Sequence, residues 1–322
     1  MSVALSKNKV VGSISITKKR LLIDGVNVIG GEVGDSYSLP KARRGTPAEM
    51  SSINSNPRSF LNRSIFVRLV SEVQQRAESD GINCIYGTPN KNSYPGYIKR
   101  LGYINIENIK YRTYSHYTAS FFQKKYSFFG KKSGIFVDFN KNILIGCNNL
   151  LSHVLIGKGI DIDHNIPSLD DIDIFWDKVK PASGFSLIRD SKYWEYRYKK
   201  NPISEYTFHS IYRHGLMAGI IVSRIRRTTS NLKSVYIAEW MLDKNISLNY
   251  CILEVLDFYK KKNIDSFHFI SQESDISLIN SFGCLFFPRK QVSIIFTDTD
   301  FNRSLDKRDT NFDFYLGSTD AV

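Results

Sequence analysis

The residues best suited to chemistry include a short cationic turn, PKARRG, which follows a strand-like run. In this turn Arg43 and Arg44 stand beside Gly45. Further along, Ser64 opens an amphipathic segment that predicts a helix. A strand, a cationic turn and a helix N-terminus together offer positive charge and backbone N–H groups, which hold the phosphates of nucleotide-like ligands. We therefore expect a phosphate-bearing ligand in this part of the chain.

The elements that must position this turn follow from simple patterns. Upstream, Asp24 and Gly25 lie between two β-branched runs and predict a β-hairpin. Downstream, 64–103 predicts a helix, a buried strand INCIYG, an Asn/Pro/Gly-rich loop and a short second helix that ends at Gly102. The polar segment 46–63 predicts a long loop between the turn and the helix. Because a helix connects them, the strands on either side of it are expected to be parallel.

A similar order of elements returns in the second half of the chain. Three strands are predicted by YTFHSIYR, LMAGIIVSRIRR and SVYIAEWML. A helix is then predicted by SLNYCILEVLDFYKKK, and a further strand by IDSFHFIS. This repetition indicates two tandem α/β units in an α+β fold. We place the first unit at 1–120, connecting strands and an acidic linker at 121–172, and the second unit at 173–322. The acidic segment DIDHNIPSLDDIDI is interpreted as a solvated connector.

Composition narrows the functional classes. The 322 residues carry a formal net charge of +13, which indicates either an anionic partner or a solvated basic surface. The four cysteines are scattered without CxxC spacing, so we expect no metal site, no disulfide framework and a cytoplasmic location. No apolar run approaches the roughly 20 residues that a bilayer span needs, and the start of the chain lacks a signal-peptide pattern.

Together, these features resemble the GNAT superfamily of acyltransferases, here as a tandem pair. The resemblance rests on GDSYSLPKARRG, SIFVRLV and IYGTPNKNSYPGYIKRLGY in the first half, and on RDSKYWEYRYKKNP in the second. The chain is similar to the GNAT-type proteins found with bacterial surface-polysaccharide biosynthesis. The resemblance implies that each unit is a mixed, mainly antiparallel twisted sheet flanked by helices. It also implies that acyl-CoA lies where the central strand separates from its neighbour.

The same resemblance implies which residues bind acetyl-CoA or another acyl-CoA as co-substrate, without a metal. The implied contacts are Arg43, Arg44, Gly45 and Ser64 at the pyrophosphate, and the backbone of Ser38 and Leu39 at the thioester. The first half departs from the family by its long 46–63 loop and by lacking the usual opening helices. The second half has only DKNISL between strand and helix, without glycine or arginine, so we expect it to be non-catalytic.

The implied reaction is attack of an amine on a thioester, which needs a base and an acid. Asp35 is the first carboxylate for the base and Glu32 the second, while Tyr97 and Tyr94 are the phenols for the acid. Asn92 is placed to orient water or substrate. The alternative interpretation is that Asp35 caps a turn and that both tyrosines pack in the core.

Three functions remain open at this point. The first is an acyl-CoA-dependent N-acyltransferase whose amine acceptor, by resemblance alone, is a small molecule such as a nucleotide-linked amino sugar. The second is a transferase resembling the Fem group, which uses aminoacyl-tRNA and predicts RNA binding that weakens with salt. The third is a degenerate GNAT module that binds a partner or a nucleotide-sugar without catalysis. The oligomeric state is not specified by the sequence.

Overall fold

The computed structural model describes residues 1–6, 8–39, 64–105, 111–125, 143, 159–227, 231–259, 262–272, 287–298 and 312–313. These residues form two compact units. The first consists of Met1–Ile109, Pro181–Ile188 and Ser293–Asp313, and the second of Lys110–Lys180, Arg189–Val292 and Phe314–Val322. No helix in the described ranges is long and apolar enough to cross a membrane.

The elements are numbered along the chain. The strands are β1 (Ser2–Ser6), β2 (Lys9–Ile23), β3 (Val26–Ser38), β4 (Cys84–Gly87), β5 (Ile104–Asn105), β6 (Tyr111–Tyr117), β7 (Ile160–Asp163), β8 (Phe185–Leu187), β9 (Thr207–Arg213), β10 (Leu216–Arg227), β11 (Lys233–Leu242), β12 (Ser266–Gln272), β13 (Phe287–Val292), β14 (Ile295–Asp298) and β15 (Phe312–Asp313). The helices are α1 (Ile65–Ser79), α2 (Tyr94–Arg100), α3 (Ala119–Lys125), α4 (Leu169–Val179), α5 (Ser191–Trp194), which continues as a π-helical turn (Glu195–Lys199), and α6 (Leu248–Phe258).

The predicted hairpin at Asp24 and Gly25 is confirmed. Ile23 of β2 pairs with Val26 of β3, so Asp24 and Gly25 alone form the turn. Both have positive φ, 49° at Asp24 and 76° at Gly25. This geometry matches the right-handed twist of the flanking strands, and it is why an Asp-Gly pair favours the connection.

The first sheet has the order β15-β8-β2-β3-β4-β14-β5, with β1 paired to β2. As predicted, β3 and β4 are parallel on either side of helix α1. The apolar side chains of α1 recur at helical spacing and are buried on the sheet. They are Val67, Leu69, Val70, Val73 and Ala77. The short helix α2 follows β4, and Gly102 after it has a φ of 72°, which glycine adopts without a steric penalty.

The second sheet has the order β13-β6-β12-β11-β10-β9-β7. Here β11 and β12 are the parallel pair, and α6 is the helix between them. The helix buries one continuous apolar face against the sheet. Its buried residues are Cys251, Ile252, Leu253, Val255 and Leu256. The mixed, mainly antiparallel α+β architecture predicted for both halves is therefore confirmed, and the two sheets repeat the same central arrangement.

The division into 1–120, 121–172 and 173–322 assumed that each unit is one continuous stretch of sequence. In the structure each unit consists of several separate segments. Strand β6 precedes most of the second unit but pairs with β12 and β13 in the second sheet. Conversely, β14 comes late in the chain but lies between β4 and β5 in the first sheet. Each sheet is thus completed by a strand from a distant part of the sequence. Local patterns could not show this exchange.

The segment interpreted as an acidic connector is instead ordered secondary structure. It holds all but the first residue of β7, which pairs with β9, and the first half of α4. Ser168 caps α4 by accepting a hydrogen bond from the Asp171 N–H at 3.0 Å. Asp170 and Asp171 lie in the first turn, where negative charge favours the helix dipole. The acidic run therefore marks a helix start, and the prediction of a linker was wrong.

Candidate functional site

A cleft opens in the first unit where two parallel strands separate. Strands β3 and β4 pair over only three residues, from Gly30–Cys84 to Glu32–Tyr86. Beyond this point β3 continues to Ser38 along β2, whereas β4 ends at Gly87 beside β14. One edge of β3 is therefore no longer covered by β4. The gap lies at the C-terminal ends of both strands, which is the usual position of ligands in sheets with parallel strands.

Strand β3 also carries a β-bulge at the mouth of this cleft. Gly34 pairs with Ser15 and Tyr37 pairs with Ser13, so Asp35 and Ser36 together oppose the single residue between those partners on β2. An extra residue bends the strand and changes the direction of its side chains. The bulge therefore changes the course of β3 at the residues where the described lining of the cleft begins.

The cleft has a volume of about 590 Å³. Its described lining comes from the end of β3, the start of α1, the loop after β4 and helix α2. The lining residues are Ser36, Tyr37, Ser38, Ser64, Phe66, Val67, Asn90, Asn92, Ser93, Pro95, Gly96, Lys99 and Arg100. A cleft of this volume is large enough for a cofactor-sized molecule.

The chemical character of the lining is cationic and rich in hydrogen-bonding groups. Lys99 and Arg100 contribute the charges, and none of the described lining residues is acidic. The start of α1 adds to this polarity, because Ser64 makes no side-chain cap and the first turn holds no acidic residue. The first amide groups of a helix lack intrahelical partners and carry the positive end of its dipole. The site thus favours an anion.

The loop between β4 and α2 is held by one asparagine. The Oδ1 of Asn90 accepts hydrogen bonds from the N–H groups of Asn92 at 2.9 Å and Ser93 at 3.0 Å. Such a turn fixes the backbone locally without a regular element. It places the exposed Asn92 on the cleft, together with Ser93.

Ser38 and Leu39, the two residues expected at the thioester, differ in the direction of their backbone N–H groups. The N–H of Leu39 donates to the carbonyl of Val11 at 2.9 Å and is therefore used within the sheet. Since successive residues of a strand direct their amides to opposite edges, the N–H of Ser38 is directed to the edge that β4 has left. Ser38 and Ser64 line the cleft, whereas Leu39 is absent from its described lining.

The two tyrosines proposed as acids are not brought to the cleft. Tyr97 is 3% exposed and packs edge-to-face on Phe66 and Tyr103, with ring centroids 5.1 and 5.0 Å away. Burial raises the pKa of Tyr97 well above its usual value. Tyr94 packs against the same hydrophobic cluster. The alternative interpretation, that both tyrosines pack in the core, agrees with their position.

The carboxylates and the cationic turn are placed as follows. Glu32 is buried and forms an ion pair with Lys19 at 3.0 Å, so its charge is already balanced. Asp35 lies on the bulge of β3, but its side chain is outside the described part of the structure. Arg43, Arg44 and Gly45 also lie outside the described residues. The described ranges contain no cluster of three or more His, Cys, Asp or Glu that could hold a metal ion.

Lys99 and Arg100 are the functional candidates that the sequence interpretation missed. Both lie in the last turn of α2, where basic residues commonly favour the helix dipole, so their pattern suggested a helix end only. The available signal was their position seven and eight residues after Asn92, within the same motif. One helix of two turns brings them to the same cleft.

Comparison with known proteins gives a structural likeness without a sequence match. No protein-family model and no curated protein sequence matches the chain. Among solved structures, a GCN5-related N-acetyltransferase from Anabaena variabilis ATCC 29413 aligns with a TM-score of 0.52 and 14% identity. The alignment covers 91% of this chain and 61% of that one, so the chain spans about three fifths of its length.

The N-myristoyltransferase of Saccharomyces cerevisiae, solved with bound myristoyl-CoA, is a second similar structure. It aligns with a TM-score of 0.55 and 10% identity over 90% of this chain and 67% of the enzyme. The likeness to both proteins shows that the chain has the GNAT fold predicted from its motifs.

Proposed function

We propose that the first unit binds acyl-CoA in the cleft between β3 and β4 and transfers the acyl group to an amine. The observation that carries the proposal is the cleft itself. It combines the edge of β3 that β4 leaves, a helix start at which Ser64 makes no side-chain cap, and two cations, with no acidic residue in its described lining. Acyl-CoA has the matching groups: an anionic pyrophosphate and an arm with two amides.

The parts of acyl-CoA fit different parts of the cleft. The pyrophosphate fits the N-terminus of α1 beside Ser64, where positive potential and unpaired amides converge. The pantetheine arm then follows the edge of β3 past Ser38, with its amides paired to the strand as an added β-strand would be. Arg43, Arg44 and Gly45 remain predicted pyrophosphate contacts from the sequence. Lys99 and Arg100 add cationic contacts from α2.

The reaction is direct acyl transfer. The lone pair of the neutral amine attacks the thioester carbonyl carbon and forms a C–N bond. The C–S bond then breaks, and its electron pair leaves with the sulfur as a thiolate. A base takes the proton of the attacking nitrogen, and the thiolate takes a proton to give free CoA.

Asp35 is the proposed base, because it lies on the bulge beside the cleft residue Ser36. Asn92 is proposed to orient water or the amine from the opposite wall. Burial of Tyr97 argues against it as the acid, so we assign the proton on sulfur to water in the open cleft. The proposed acceptor is a small-molecule amine such as a nucleotide-linked amino sugar. This part of the proposal rests on the motif resemblance alone.

Binding is tested by thermal unfolding with and without acetyl-CoA. We expect acetyl-CoA to raise the unfolding temperature, because a ligand that binds only the folded state stabilises it. Lys99→Ala with Arg100→Ala should weaken binding at least tenfold, which is about 1.4 kcal/mol. Lys192→Ala with Lys199→Ala removes the same charge from exposed positions of the second unit and should leave binding unchanged.

The absence of a shift with both acetyl-CoA and CoA would overturn the proposal. Turnover is followed by release of the free CoA thiol with a panel of amines, including amino-sugar nucleotides. Binding without thiol release for every amine would favour the non-catalytic module. Retention of tRNA at low salt, with no response to CoA, would favour the Fem-like alternative.

A further inference from the structure

We infer that Val33 limits the acyl group in this cleft to short chains such as acetyl or propionyl. The inference rests on the proposed function, because it assumes that the thioester lies at the inner end of the cleft. It concerns the point where β3 and β4 begin to separate. There, the first residues beyond the last pair are Val33 and Gly87.

Val33 fills the wedge between the two strands. A Cβ added to Gly87 would lie 2.4 Å from Val33 Cγ1 and 3.2 Å from its carbonyl oxygen. The valine side chain therefore rests directly on the glycine backbone, which only a residue without a side chain permits. Val33 is 9% exposed, so the wedge is closed and mostly dry.

Both faces of the sheet are also filled next to this wedge. On the face of α1, Val33 belongs to a buried cluster with Ile14, Ile85, Tyr97 and Tyr103. On the other face, Tyr86 packs edge-to-face on Phe185 with ring centroids 5.3 Å apart.

The buried ion pair of Lys19 and Glu32 lies nearby. A long acyl chain that entered either face would have to displace close-packed side chains, and packing of this density resists even one extra methylene. Both faces therefore resist extension of the acyl chain.

The described lining of the cleft on β3 runs from Ser38 to Ser36, and the wedge at Val33 is the next point along the strand toward its paired part. An acyl-CoA arm that follows the strand edge inward would therefore bring its thioester toward this wedge. From Ser38 to Val33 the strand advances about 16 Å at 3.3 Å per residue. This is close to the reach of an extended pantetheine arm that starts from a pyrophosphate at Ser64. The acyl carbons would then project toward Val33. Acetyl fits in front of it, while each further methylene must enter the closed wedge.

The test compares the affinities of CoA, acetyl-CoA, butyryl-CoA and hexanoyl-CoA by calorimetry. We expect the wild-type protein to bind hexanoyl-CoA at least tenfold more weakly than acetyl-CoA. Val33→Ala should reduce this ratio to about threefold or less, because removal of the two methyl groups opens the wedge. Val28→Ala is the matched control: it makes the same change in β3 at a residue that is 8% exposed, and it should leave the ratio unchanged.

Equal binding of hexanoyl-CoA and acetyl-CoA by the wild-type protein would overturn the inference. Equal effects of Val33→Ala and Val28→Ala on the ratio would also overturn it, since the change would then reflect general loosening. If CoA itself fails to bind, the proposed function is overturned, and the assignment of Val33 with it. Binding of CoA together with a flat response to chain length overturns the role of Val33 alone.

Discussion

The two units share a central strand order around one parallel pair, and in the first unit a cleft opens where that pair separates. In the second unit, β11 and β12 pair from Ser234–Ser266 to Tyr236–His268 and then diverge, as β3 and β4 do. Strand β11 also carries a register shift just beyond this pairing, opposite Val222 and Ser223. The backbone arrangement of the candidate site is therefore present twice.

The side chains at the divergence differ. When the parallel registers are matched, Trp240 and Leu242 take the places of Ser36 and Ser38, and Phe269 takes the place of Gly87. The rings of Trp240 and Phe269 lie 6.1 Å apart and belong to one buried cluster. Large apolar side chains thus occupy the second divergence, whereas small polar ones leave the first open.

The helix start and the carboxylate of the second unit are also used in internal hydrogen bonds. Helix α6 is capped by Ser247, whose Oγ accepts a hydrogen bond from the Tyr250 N–H at 3.3 Å, whereas Ser64 makes no such bond. Glu239, at the register position of Asp35, is fully buried and accepts a hydrogen bond from the Tyr193 hydroxyl at 2.7 Å.

Burial raises the pKa of Glu239, while the Arg189 guanidinium nearby opposes the rise. The second unit uses these groups internally, which supports the proposal that it is non-catalytic. The comparison indicates that small side chains, more than strand divergence, keep the cleft of the first unit open.

The largest expected effect comes from giving the first unit the aromatic residue of the second. Ser36→Trp should fill the cleft and reduce acetyl-CoA affinity by at least a hundredfold, about 2.7 kcal/mol. Stability should change little, because Ser36 is exposed. Calorimetry and denaturant unfolding measure the two effects. Ser191→Trp, a serine-to-tryptophan change in the second unit, is the control, and affinity that survives Ser36→Trp would place the ligand elsewhere.

The reverse change tests whether the second divergence is part of a core. Trp240→Ala should lower the free energy of unfolding by about 3–5 kcal/mol, as expected for loss of a buried aromatic side chain. It should not create a second CoA site, since the helix start remains capped. Tyr196→Ala removes an aromatic ring that is 82% exposed and should cost far less. Similar losses for both variants would contradict the comparison.

A smaller expected difference between the two units is the loss of stability of the second unit at acidic pH. All six histidines lie in the second unit, where His209 is buried and bonded to Ser223 Oγ at 2.8 Å and His164 Nδ1 at 2.9 Å. Burial, with the neighbouring charges of His164 and Lys262, lowers the pKa of His209 from 6.5 to about 3.

The unfolded chain therefore binds more protons below pH 6.5, so stability should fall as pH drops from 6.5 toward 3, by up to about 1.4 kcal/mol per pH unit. His209→Gln should flatten this part of the pH profile, measured by denaturant unfolding. His214→Gln, at an exposed turn, should leave the slope as it is. A profile that is equally steep in both variants would assign the acid sensitivity to other groups.

Elements set by local chemistry could be predicted from the sequence. The Asp-Gly turn, the apolar face of α1 and the parallel strand after it each follow from contiguous patterns, and the structure has all three. Ser38, Ser64 and Asn92 line the cleft, and the roles assigned to them stay predictions.

Features set by distant contacts could not be predicted. Helix α2 has seven residues, too few for its pattern to show which side faces the core, and contacts with Phe66 and Tyr103 bury Tyr97. The partners of β6 and β14 lie far along the chain, so no local pattern identifies them. Asp170 and Asp171 were interpreted as a charged connector, although first-turn acidic residues equally predict a helix.

The exchange of β6 and β14 also affects how the chain reaches its fold during synthesis. Strand β14 must insert between β4 and β5, so Ile295 pairs with Gly87 and Asn105 only after the long segment between β5 and β14 has been synthesised. Until then β4 has an unpaired edge, and pairings of such long sequence separation form slowly. The end of β4 at Gly87 is therefore fixed late. A chain that stopped before β14 would contain all the described lining residues of the cleft but lack the strand that holds β4 in place.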